Sequence, residues 1–155
     1  MLVDTVRAFI DREVKPTVNE AEHANEYPEA WIEQMKEMGI FGLAVPEEYD
    51  GMPVSMPAYI RVTEELARGW MSLAGAMGGH TVVAKLLVMF GTEEQKQKYL
   101  PGMATGEIRA TMALTEPGGG SDLQAISTTA KLDGDELVIN GSKTWISNAR
   151  RSGLI

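Results

Sequence analysis

The sequence predicts an α+β chain, with an N-terminal all-α helical bundle over residues 1–107 and the beginning of an antiparallel β domain over residues 108–155. Two patterns carry that prediction. Apolar residues recur at three- and four-residue steps through the first hundred positions, as on helices with one buried face. After Gly106 the period shortens, and the dipeptides Asp133-Gly134 and Asn140-Gly141 punctuate short β-prone runs as hairpin turns do. The length of 155 residues suits one domain and part of a second, and 44% apolar with 23% charged residues is an ordinary globular composition.

The elements follow in order. Val3, Val6, Phe9, Ile10, Val14 and Val18 mark one buried helical face, and Pro16 within it predicts a kink or break. Pro28 suits the first residue of a second helix, with Trp31, Met35 and Met38 inward and Gly39 as a left-handed C-cap. Pro46–Pro53 reads as a turn-rich loop pivoting at Asp50-Gly51. A third helix is expected from about Pro57 to Arg68 with Ile60, Val62, Leu66 and Ala67 as apolar members. The fourth, Met71 to Phe90, is apolar nearly all round and is expected to be the central helix that the others cover. Thr92 and Gln95 form a capping box for a fifth helix, expected to stop at Pro101. Strands are expected at Arg109–Thr115, Ser127–Leu132, Glu136–Asn140 and Lys143–Ser147. Four short strands with one apolar face need something packed on that face, so the chain reads as the front part of a longer protein.

Charge and composition narrow the function classes. With 14 Lys and Arg against 22 Asp and Glu, the net charge of −8 provides no basic surface for nucleic acid or an anionic membrane. The chain has no cysteine and two histidines, His23 and His80, too far apart for metal-binding spacing. No metal site and no Ser-His-Asp triad is expected. Met71–Phe90 approaches membrane-spanning length, but His80 and Lys85 interrupt it and three glycines loosen it, so it reads as a buried helix. The start lacks the basic and apolar regions of a signal peptide, and a soluble, cytoplasmic protein is expected.

Two segments offer chemistry. In Met112–Asp122 (MALTEPGGGSD) a strand runs into three glycines and Ser121. Glycines free the backbone for positive φ and bring N–H groups close to a phosphate oxygen. A plain glycine loop is the commoner reading of three bare glycines. In Asn140–Asn148 (NGSKTWISN) a strand places Trp145 and Ser147 on one face and Ile146 on the other. An indole plane beside a hydroxyl suits an aromatic cofactor, while core packing is the commoner fate of a strand Trp. Glu116 and Asp122 are poor candidates for a base: one precedes a proline in a turn, and the other caps the next turn. His80 reads as a core or hydrogen-bonded histidine.

The order and spacing of TEPGGGSD, a hairpin, and NGSKTWISN resemble the acyl-CoA dehydrogenase family of flavoproteins. FGLAVPEEYDG (Phe41–Gly51) and FGTEEQKQKYLP (Phe90–Pro101) are similar to two further signatures of that family, in the same order, so the likeness covers most of the chain. It implies the N-terminal part of an FAD-dependent enzyme that oxidises acyl-CoA to trans-2-enoyl-CoA. In that reaction a glutamate removes the α proton and the β carbon gives a hydride to FAD N5. It implies cofactor contacts from Met112, Leu114, Thr115, Trp145, Ile146 and Ser147. Thr115 would donate at the pyrimidine side, Trp145 lie against the isoalloxazine ring and Ser147 bond N5, where charge develops as hydride arrives. Ser121 would contact the CoA portion of the substrate.

Two departures are Gly119, where many members have alanine, and Ser147, where many have threonine; the hydroxyl is kept. The family's base lies in a C-terminal helical domain, so no catalytic residue is expected in this chain, which alone should be inactive and hold FAD weakly or not at all. An acyl-CoA substrate, an electron-acceptor flavoprotein and a homo-oligomer are implied for the parent. Small residues near Ala74, Met77 and Gly78 would leave room for an acyl chain of moderate or greater length. The alternatives are an acyl-CoA oxidase-like flavoprotein on the same scaffold, or a non-catalytic helical interaction module.

Overall fold

The computed structural model describes residues 1–155. Helix α1 (Leu2–Phe9) runs into a π-helical turn, Ile10–Val14, and Val6, Phe9, Ile10 and Val14 are all buried. The expected break at Pro16 is present: the chain restarts as α2 (Val18–Ala24), which buries no residue. In α3 (Glu29–Glu37), Pro28 is the N-cap, and Gly39 follows with φ +73°. Its fully buried residues are Ile32 and Met35, while Trp31 is half-buried and meets Trp70 edge-on, centroids 5.7 Å apart.

In the loop after α3 the pivot is Asp50, at φ +61°. Gly51 is required for a different reason: a Cβ there would lie 1.9 Å from the Val45 carbonyl oxygen. Helix α4 (Met56–Gly69) buries Val62 and Leu66, whereas its other named apolar members, Ile60 and Ala67, are exposed.

Helix α5 spans Met71–Phe90 as its pattern predicted, but it is not covered all round. Leu73, Ala76, Met77, His80 and Ala84 are buried, while Met71, Val82, Leu86, Met89 and Phe90 are exposed. By length and composition alone α5 would pass for a membrane span; here its buried face is part of a packed core. Helix α6 (Glu93–Thr105) starts at the expected box: the Gln95 N–H donates to Thr92 Oγ1 and the Thr92 N–H to Gln95 Oε1. It does not stop at Pro101 but continues to Thr105, because the turn after the proline carries the buried Met103 and Ala104. Packing of that turn outweighs one missing backbone donor. Gly106, at φ +80°, ends the helix in the left-handed conformation.

Helix α1 packs on α4, α4 on α5 and α5 on α6. Two apolar clusters result. The larger joins α1, the π turn, α3, α4 and the first half of α5. The smaller joins Val45, Tyr49, Ala84, Leu100, Met103 and Ala104, and it includes Ala110 from the following segment.

Beyond Gly106 the only regular sheet is an antiparallel hairpin, β1 (Thr129–Asp133) with β2 (Glu136–Asn140), in register Thr129 with Asn140 and Asp133 with Glu136. Gly134, at φ +62°, makes its turn. Every residue of both strands is exposed. The strands expected at Arg109–Thr115 and Lys143–Ser147 are not formed. Ala110 makes one isolated parallel bridge with Leu154, and the Thr144 N–H donates to the Thr115 carbonyl at 3.0 Å. Alternation marks a segment as able to join a ladder, but a ladder needs a continuous partner, and these segments meet each other only at isolated points.

Candidate functional site

The two chemistry-bearing segments do lie side by side. The Thr111 hydroxyl donates to the Ser147 carbonyl at 2.7 Å, four residues before the contact between Thr115 and Thr144. Met112 to Thr115 therefore runs along Thr144 to Ser147, and all four of its members are half-buried. The N–H groups of Met112, Ala113, Leu114 and Thr115 donate to no backbone acceptor in the chain. A half-buried run of free donors fits a ligand edge that carries acceptors.

Trp145 departs from the expected strand geometry. Its φ is +58°, in the left-handed region, and its side chain is exposed, with 88% of the residue's surface accessible. For a bulky residue that backbone costs about 1–2 kcal/mol, and such strain concentrates at functional sites. The twist also separates residues expected on one face. Trp145 and Ile146 line a cavity of about 810 Å³ with Ala113 and Arg150. Ser147 lines a neighbouring cavity of about 890 Å³ with Trp70, Met71 and Gly75. Tyr27 and Asn148 border both cavities, and the Tyr27 hydroxyl donates to Asn148 Oδ1 at 3.0 Å, so this bond lies along the partition. Arg109 Nη1 donates to the same tyrosine oxygen at 3.0 Å, and the Arg151 guanidinium sits 3.8 Å from the ring centroid.

Along α5, Met71, Gly75, Gly78 and Val82 share one face. A Cβ at Gly75 or Gly78 would meet nothing within 4 Å. Met77, expected beside them, is fully buried in the core instead, and Ala74 packs against that core.

The glycine turn differs from expectation as well. None of Gly118, Gly119 and Gly120 has positive φ. Gly119 closes a tight bridge with Glu116, its N–H donating to the Glu116 carbonyl at 3.1 Å, so that donor is already used. A Cβ at Gly118 or Gly119 would face open space. The glycines therefore give clearance more than conformational freedom. Ser121 stands exposed beyond them, and Asp122 caps the turn Leu123–Ala125 by accepting from the Gln124 N–H.

Glu116 has a role that sequence reading missed. It is buried, with side-chain exposure of 5%, and its carboxylate accepts four hydrogen bonds. Oε2 takes the Ser127 N–H at 2.7 Å and the Ser127 hydroxyl at 2.6 Å; Oε1 takes the Thr128 N–H at 3.0 Å and Lys143 Nζ at 2.9 Å. The Ser127 bonds above all, then those from Thr128 and Lys143, hold this carboxyl well below the usual carboxylate range. A saturated, firmly ionised carboxylate is a poor proton acceptor, which agrees with its low rank as a base. Its neighbours in the knot are 11 to 27 residues away in sequence, and no local signal announces them.

His80 is fully buried, as expected of a core histidine. Its Nδ1 accepts the Ala110 N–H at 3.3 Å, and its ring meets Phe41 edge-on at 5.1 Å. Burial, offset in part by the nearby Phe41 and Met103 backbone, pushes its pKa down to about 4.

The likeness to known proteins extends over the whole chain. Residues 1–107 match the acyl-CoA dehydrogenase N-terminal domain, and residues 111–155 match the acyl-CoA dehydrogenase middle domain. A (2S)-methylsuccinyl-CoA dehydrogenase of Cereibacter sphaeroides is 41% identical over 98% of this chain and 28% of its own. The solved structure of a glutaryl-coenzyme A dehydrogenase with glutaryl-CoA superposes with a TM-score of 0.91 at 37% identity, over 100% of this chain and 40% of that one. A Bacillus anthracis acyl-CoA dehydrogenase complexed with FAD gives a TM-score of 0.88 at 36% identity, over 100% of this chain and 27% of that one. The chain thus spans less than half the length of these relatives. With two consecutive domain matches that together take in nearly every residue, it belongs to the acyl-CoA dehydrogenase family.

Proposed function

We propose that this chain is the helical domain (1–107) and first part of the middle β domain (108–155) of an FAD-dependent dehydrogenase that oxidises an acyl-CoA thioester to the trans-2-enoyl-CoA. The observation that carries the reading is the junction of Thr115 and Thr144, which sets free backbone donors beside an exposed indole on strained backbone. The donor set fits the isoalloxazine of FAD: a planar ring needs an aromatic face, and its pyrimidine side needs N–H and O–H donors. FAD, when bound, accepts a hydride from the acyl β carbon.

Trp145 offers its ring face to that cofactor. Thr115 donates from its hydroxyl and N–H, and Met112, Leu114 and Ile146 flank the ring edge. Thr111 holds the Ser147 backbone by its carbonyl, and the Ser147 hydroxyl, exposed, is the donor offered where negative charge develops. Ser121, on the exposed side of the glycines, takes the CoA portion. No residue of this chain serves as the base. The open face of α5 at Gly75 and Gly78 leaves space for an acyl chain of moderate or greater length. We place the protein in the cytoplasm as a homo-oligomer that passes electrons to an acceptor flavoprotein.

The test is the visible spectrum of the full-length protein carrying this sequence, with and without added FAD, followed by anaerobic addition of a panel of acyl-CoAs. Flavin bands that bleach with acyl-CoA are expected. A protein without flavin bands that added FAD does not restore would end the reading, and bleaching confined to the shortest esters would end the chain-length assignment.

A further inference from the structure

Glu116 and Lys143 join three separate stretches of chain at one point. Besides Glu116, Lys143 Nζ donates to the Leu114 carbonyl at 3.2 Å. The lysine thus brackets Thr115, with one contact on the residue before it and one on the residue after. Lys143 immediately precedes Thr144, whose N–H reaches the Thr115 carbonyl, and Trp145 is the next residue. The other carboxylate contacts anchor Ser127 and Thr128, just before β1. A Cβ on Gly141 would lie 2.1 Å from Thr128 Oγ1, so the third stretch crosses this point at close range.

Few other contacts hold these stretches. The hairpin is exposed throughout, and no ladder links Met112–Thr115 to Thr144–Ser147. Apolar packing cannot fix the relative position of Thr115 and Trp145, because the indole is exposed and the threonine only half-buried. An ion pair on a buried carboxylate whose remaining lone pairs are satisfied is directional, and that is what fixing a register between unpaired segments requires.

We propose that Glu116 and Lys143 are positioning residues, a latch that sets Thr115 and the Trp145 indole in fixed relation to one another. Neither touches the flavin in this account; they act through Thr115 and Trp145. Their value for FAD binding rests on the function proposed above, but the latch itself is measurable without the cofactor.

Two readouts keep the claims apart in the full-length protein: hydrogen–deuterium exchange of the peptide containing Thr144 and Trp145, and titration with FAD. The variants are Glu116→Gln, Lys143→Met and Lys143→Arg, with the exchange of α1–α6 peptides as the check on folding. In Glu116→Gln and Lys143→Met, exchange at Thr144 should rise and FAD affinity should fall by about tenfold or more, the size of one lost charge-assisted hydrogen bond. Lys143→Arg should recover much of both, and the flavin absorption bands of the weakened variants should shift. Unchanged Thr144 exchange in both charge-removing variants would overturn the latch. So would raised exchange with FAD affinity and flavin bands left as in the parent. A parent protein that binds no FAD sinks the flavin reading alone, and exchange then decides the latch.

Discussion

The helical region and the segment after Gly106 are held by different forces. In the helices, residues such as Val6, Leu66 and Met77 are fully buried, and structure follows from apolar packing between adjacent helices. After Gly106 only Ala110, Thr111 and Glu116 are buried, and two of the three are polar. That segment is held by directed contacts: His80 to Ala110, Thr111 to Ser147, Tyr27 to Asn148, and the Glu116 knot. Packing gives stability that is spread over many contacts. Directed bonds give position, each depending on a few atoms.

The largest expected difference is in the response to truncation. Leu66→Ala or Met77→Ala should cost about 2–5 kcal/mol, from lost transfer energy plus an unfilled cavity. Ile139→Ser, on an exposed strand, should change the stability of this 155-residue chain by no more than about 0.5 kcal/mol. Urea denaturation followed by helical circular dichroism measures both, and equal losses would erase the distinction between the regions.

Acid should separate the regions next. His80 has its folded pKa depressed to about 4 from an ordinary 6.5. Between those values the unfolded chain binds the extra proton, so stability is complete above pH 6.5 and falls as pH drops toward 4. The loss is roughly 3 kcal/mol at most. Glu116 is depressed too, so its contribution is present above its unfolded pKa and goes only in stronger acid. His80→Gln should flatten the stability profile between pH 6.5 and 4 in thermal melts while leaving the steeper acid limb. A profile unchanged by that substitution would remove the histidine from the account.

How far each region was legible in sequence follows from the same division. The long apolar run marks α5 and the Thr92–Gln95 pair marks the start of α6, because helix signals are local. Pro101 misled for the opposite reason: a local breaker was overruled by the tertiary burial of Met103 and Ala104. The apolar pattern of α5 said how much could be buried, not how much neighbours would cover. Among the candidate site residues, Thr115 and Trp145 are legible as types, and their segments are adjacent. The left-handed backbone at Trp145 was not visible, since tryptophan has no preference for it. Glu116 looked like a turn carboxylate because every donor to it is distant in sequence.

A smaller effect probes the contact between the regions. Tyr27→Phe removes the hydroxyl that donates to Asn148 and accepts from Arg109, but leaves the ring under Arg151. Stability should fall by about 1 kcal/mol, the net value of a typical hydrogen bond with part of its network retained. Exchange should rise in the peptide around Asn148 and stay unchanged in α4 and α5. Faster exchange in those helices would mean that the bond supports the bundle as well as the joint.

One expected change in stability has the opposite sign. Trp145 and Asn148 both occupy the left-handed region, at φ +58° and +63°, but only asparagine tolerates it readily. Since the indole is almost fully exposed, replacing it forfeits little packing in this chain. Trp145→Asn should therefore raise stability by a few tenths to about 1 kcal/mol in denaturant melts. If the indole serves as the flavin platform, the same substitution should weaken FAD binding. Gain in one measurement with loss in the other would identify a residue kept against its own backbone preference. Destabilisation would instead mean that Trp145 packs in the folded protein, and its strained backbone would then have a structural cause.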